Sequence, residues 1–95
     1  MASANVTLPG SSTYGFECDS TERTATLNGR GGYVYNTDDT VTAYLNVDGG
    51  TVATSDPVGA AGLPVPPGKS VPLPYTCASF TFKSASSVYL QYTPN

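Results

Sequence analysis

Thr40-Val41-Thr42-Ala43-Tyr44-Leu45-Asn46-Val47 is the stretch on which the fold turns. Every second residue is apolar. A period of two is the mark of a half-buried strand, because successive side chains point to opposite faces. Val41, Ala43, Leu45 and Val47 are expected on the core face, and Thr42, Tyr44 and Asn46 on the other. Asp48-Gly49-Gly50 then reads as a tight hairpin turn into a strand over Thr51 to Thr54.

Outward from this segment the pattern repeats. Strands are expected over Asn5 to Leu8, Thr13 to Cys18, Arg23 to Asn28 and Tyr33 to Asn36 on the N-terminal side. Lys69 to Leu73, Ser79 to Lys83 and Ser87 to Thr93 follow on the C-terminal side. Ala25 and Leu27 share a face, as do Tyr14, Phe16 and Cys18, Phe80 and Phe82, and Val88, Leu90 and Tyr92. Gly, Pro, Asn and Asp clusters separate the runs, and no window holds helical spacing. Ser55 to Pro67 reads as a loop, because Pro57, Pro64, Pro66 and Pro67 cannot sit in a central strand. Short strands with turns every eight to twelve residues predict an all-β, small antiparallel β-sandwich, Ig-like or jelly-roll-like. With 95 residues there is room for a single domain. The expected core is Val41, Ala43, Leu45, Val47, Phe80, Phe82, Val88 and Leu90. Residues 1–12, broken from the rest by Pro9-Gly10, read either as an N-terminal arm laid on another subunit or as a strand of the domain formed by 13–95.

The chemical inventory is thin. There is no His, so Ser-His and Cys-His nucleophilic pairs are ruled out, and two cysteines cannot complete a structural zinc set. Glu17, Asp19 and Glu22, and Asp38 with Asp39, could pair carboxylates, but turn capping explains Asp in such places. Lys69 and Lys83 lie in no nucleophile motif. Gly29, Gly31 and Gly32 are not followed by a helix, as a phosphate cradle requires. The expectation is a protein that is not an enzyme and takes no cofactor and no metal. Charged residues make up 12% of the chain, about half the usual share, and the net charge is −3. Arg23, Arg30, Lys69 and Lys83 are scattered, which argues against a nucleic-acid partner. Met1-Ala2-Ser3-Ala4-Asn5 has neither a basic nor an apolar signal-peptide region, and no apolar run approaches membrane-spanning length. A protein made in a cytoplasm with no membrane partner is expected. Cys18 and Cys77 are read as free and buried, with a disulfide as the alternative should the protein mature outside the cell.

From Gly32 onward the chain has a family cadence. "YVYNTDDTVTAYLNVDGG" (33–50), "LPVPPGKSVPLPY" (63–75) and "SSVYLQYTPN" (86–95) resemble small virion proteins of tailed bacteriophages. In those proteins an Asn-Thr turn, a Pro-x-Gly-x-Ser-Val-x-Leu-Pro segment and a closing strand recur. The resemblance implies a non-enzymatic virion part, most concretely a capsid decoration (cement) protein whose partners are the major capsid protein and copies of itself. Asn5, Val6, Leu8, Tyr44 and Tyr89 are the candidate interface residues, the tyrosines because alternation turns them away from an apolar face. The competing function is a carbohydrate- or host-surface-binding module, for which a glycan array would speak. Exposed Tyr favours it, while the lack of Trp counts against it.

Overall fold

The computed structural model describes residues 4–47 and 63–95. Among these are nine strands and no helix: β1 Val6–Leu8, β2 Tyr14–Cys18, β3 Arg23–Leu27, β4 Gly32–Asn36, β5 Ala43–Asn46, β6 Leu63–Val65, β7 Ser70–Leu73, β8 Ser79–Ser84 and β9 Val88–Thr93. The expected hairpin at Asp48-Gly49-Gly50 and the strand Thr51 to Thr54 lie outside the described residues.

The strands form two sheets. One runs β1-β3-β8-β5-β6 and the other β2-β9-β4-β7. The antiparallel pairs are nested: β2 with β9, β3 with β8, β4 with β7, and β5 with β6. A long two-stranded ribbon rolled upon itself gives this nesting, so the sandwich is a jelly roll. The extra strand β1 joins the five-stranded sheet parallel to β3, with Val6 beside Ala25 and Leu8 beside Leu27. That one pair departs from the purely antiparallel expectation.

Alternation fills the space between the sheets. Leu8, Phe16, Cys18, Ala25, Val34, Ala43, Leu45, Val65, Phe80, Phe82, Val88, Leu90 and Tyr92 are all buried there. Phe16 from one sheet meets Phe82 from the other edge-on, with ring centroids 4.9 Å apart, and Phe80 closes the triangle at 6.4 and 6.1 Å. Edge-to-face contact suits the ring quadrupoles and ties the layers together at mid-core.

Three expectations need correction. The strand around Leu45 is shorter than 40–47, and Val41 and Val47, beyond its ends, are only half-buried against the core. Asn46, expected outward, is buried, as is Thr81 opposite it. The Pro-rich loop 55–67 contains a strand: Leu63–Val65 pairs with β5, Pro64 lying beside Tyr44. The sheet tolerates it because β6 is an edge strand, where a missing donor faces away from the ladder.

Two polar devices fix the ends. Gly32, at φ +118°, has no room for a side chain, since a Cβ would come within 2.5 Å of the Thr93 carbonyl oxygen. Beside it the buried Tyr92 hydroxyl donates to the Gly31 carbonyl at 2.6 Å. At the other end of β4, Asn36 is fully buried on the inner face. Its Nδ2 donates to the carbonyls of Val41 (2.8 Å) and Val65 (2.9 Å), and its Oδ1 accepts from the Asp38 amide. One side chain thus clamps the four-stranded sheet to the edge of the five-stranded one. Thr37 continues the clasp, its hydroxyl donating to the Tyr89 carbonyl at 2.8 Å.

Candidate interaction surface

The two flanks of the sandwich are built differently. On one, the edge strands β6 and β7 carry Pro64 and Pro72, and Pro66-Pro67-Gly68 links them. Proline removes a backbone donor and so blunts an edge against further strand pairing. On the other, the edge strands are β1 and β2, and neither contains proline. Among the described residues each has a partner on one side only, β3 and β9 respectively, which leaves its outward backbone groups open to a new strand.

Between these open edges lies a cleft of about 270 Å³, lined by Ala4, Asn5 and Val6 from one sheet and Tyr14 to Glu17 and Tyr89 from the other. Tyr14, although in phase with the inward Phe16, is exposed. Asn5 is fixed by accepting a hydrogen bond from the Thr24 amide at 3.0 Å. The Glu17 carboxylate accepts from the Ser87 hydroxyl.

The cleft opens onto the outer face of the four-stranded sheet. In β4, Val34 and Asn36 point inward, which turns Tyr33 and Tyr35 outward. In β9, Val88, Leu90 and Tyr92 point inward, which turns Tyr89, Gln91 and Thr93 outward. Tyr33, Tyr35 and Tyr89 are 48%, 39% and 50% exposed. Tyr35 lies between Gln91 and Ser70, and Tyr33 between Thr93 and Pro72. Gly15 stands on the far side of Gln91.

Three of the residues expected from sequence to form an interface, Asn5, Val6 and Tyr89, are brought together around the cleft. The other two are not. Leu8 is fully buried in the core, and Tyr44 is half-buried on the other sheet, opposite Lys83 and Pro64. The segment weighed as an arm therefore contributes Val6–Leu8 to the domain's own sheet. Sequence reasoning missed Tyr33 and Tyr35. The signal was available in Tyr33-Val34-Tyr35-Asn36, whose alternation around Val34 sets both rings on one face.

The titratable groups do structural work. Asp38 caps its turn by accepting from the amides of Thr40 (2.9 Å) and Val41 (2.7 Å), and these bonds hold its carboxyl below the usual range. Asp19 accepts from the Thr21 amide in the same manner. Burial pushes the Cys18 thiol up to about 12, against a partial offset from the Ser84 hydrogen bond. Cys77 is also a buried thiol, donating to the Ser79 carbonyl. The disulfide alternative fails on placement. Cys18 pairs with Val88 at one end of β9, whereas Cys77 bonds Gly31 through its carbonyl, next to Tyr92 at the other end. Four strand residues separate those points, roughly 13 Å, about twice the Cα separation a disulfide spans. Among the described residues, no three His, Cys, Asp or Glu side chains gather as a metal site.

Topology and surface define a jelly-roll domain with one open flank and a tyrosine-bearing face. No family model, curated protein or solved structure matches the chain.

Proposed function

We propose that the protein is a non-enzymatic structural part of a phage virion, a capsid decoration (cement) protein that joins neighbouring subunits of the shell. The observation that carries this reading is the contrast between flanks: two edge strands blunted by proline, and two left open beside a cleft. An open edge gains affinity through main-chain hydrogen bonds when a strand of another protein is added, with nearby pockets taking alternate side chains. Sparse charge supports dense packing among other subunits, since like-charge repulsion across joints stays small. Repetition by capsid symmetry multiplies a weak contact into effective cement. Jelly rolls serve in capsids and in lectins, so the fold is compatible with the role without specifying it.

A cryo-EM map of the phage particle that encodes the chain tests the reading. Density for this domain on the outer shell, its β1/β2 flank against a neighbour, is expected; density only at the tail tip overturns it. In solution, Thr7→Lys with Tyr14→Lys places edge charges on exposed positions of β1 and β2. Rebinding to stripped particles should weaken about tenfold or more while the melting temperature holds.

A further inference from the structure

We propose that the outer face of the four-stranded sheet is a binding platform for a neutral oligosaccharide, with Tyr33, Tyr35 and Tyr89 as stacking rings and Gln91 as the central hydrogen-bonding residue. This proposal does not rest on the virion reading. It rests on what the face contains and what it lacks.

Tyr33 and Tyr35, two apart on β4, have ring-bearing carbons roughly 7 Å from each other. Tyr89 on β9 is diagonal to Tyr35, because Gln91 is the residue directly opposite Tyr35; such diagonal neighbours lie about 7–8 Å apart. The three rings therefore form a bent row, continuous with the cleft that Tyr89 also lines. A pyranose presents a C–H face that packs on an electron-rich ring, and a rim of hydroxyls that need neutral donors and acceptors. Gln91, Ser70 and Thr93 stand beside the rings and supply both. Gly15, having no side chain, leaves the flank of Gln91 open.

The absences narrow the ligand class. No Lys or Arg lies in the described strand positions of this face, so phosphate, sulfate and sialate find no counter-charge; the only charged side chain there is Glu17, at the edge. Among its described strand positions the face carries no Leu, Ile, Val or Phe. A protein partner would meet isolated rings with no aliphatic centre to desolvate, unlike the apolar core of a stable protein interface.

The test is an array of gluco-, galacto-, manno- and N-acetylglucosamine oligomers printed beside sialylated and sulfated glycans, probed with the intact protein. Affinity for any hit is then read by titration of tyrosine emission, which is unobscured because the chain has no Trp. Binding to at least one neutral series is expected. Tyr35→Ala should weaken it about tenfold or more, Tyr35→Phe should retain it within a few-fold, and Tyr44→Ala, on the opposite sheet, should leave it unchanged. Thermal melts of each variant confirm folding. The proposal is overturned by no neutral hit, by hits confined to acidic glycans, or by undiminished binding of folded Tyr33→Ala/Tyr35→Ala.

Discussion

The proline flank and the open flank solve the same problem in opposite ways. Both are places where two sheets end and a core must be closed. On the proline flank, Asn36 reaches across from β4 to the Val65 carbonyl of β6, and Pro64 and Pro72 deny donors to any further strand. On the open flank, closure depends on apolar burial, with Leu8 of β1 seated in the core, and the outward backbone is left available. The difference teaches that edge protection is a local choice. A surface left unprotected, beside a cleft and a row of tyrosines, is where an interaction is to be sought.

The comparison breaks most easily at Leu8. If β1 is integral to the open flank, Leu8→Ala removes a fully buried side chain and should cost about 3 kcal/mol in urea denaturation. A change within error would mean that β1 is a detachable arm and that the flank ends at β3. On the proline flank, Asn36→Ala leaves the Val41 and Val65 carbonyls without their donor, and a loss of about 2 kcal/mol is expected. Asn36→Asp should do no better, because a carboxylate cannot donate to either carbonyl. An unperturbed melt for both variants would show that the prolines alone close that side.

A smaller effect sharpens the account of β2. Its Cys18 is held neutral by burial, with a native value of about 12 against an ordinary 9.0. The unfolded chain therefore loses its thiol proton first. The stabilisation is complete below pH 9 and is lost as pH rises towards 12. At pH 10 the loss should be about 1 kcal/mol, and Cys18→Ala should flatten that part of the stability–pH curve. Tyr92, its hydroxyl raised mainly by burial, adds a slope of the same sign that persists in the variant.

Much of this architecture was legible in the residues. Alternation placed Phe16, Cys18, Phe80, Phe82, Val88 and Leu90 in the core, because a period of two leaves little freedom once one face is buried. Two features were obscured by rules that hold in most contexts. Pro64 concealed β6, since proline disqualifies a central strand but not an edge, and being an edge is a property of the finished sheet. Asn36 looked like the polar end of a strand, yet it is an inward position, and its partners come from β6 and the loop before β5. The site fared similarly. Tyr89 was readable from its own strand, whereas its neighbours Tyr35 and Gly15 come from strands that only the roll brings beside β9.

The nested pairing sets the order in which this chain can fold. Tyr14, near the start of the roll, has its ladder partner in Tyr92, near the other end. A ribosome would have to deliver nearly all of the sequence before β2 could find β9, so the alternating strands wait without a core while synthesis proceeds. Such distant partners place folding in the slow, milliseconds-to-seconds range of β topologies, with a window for association between unfinished copies. The few charged residues of the chain offer little repulsion during that wait. Low temperature or a holding chaperone should therefore raise the folded yield more than any change to the finished surface.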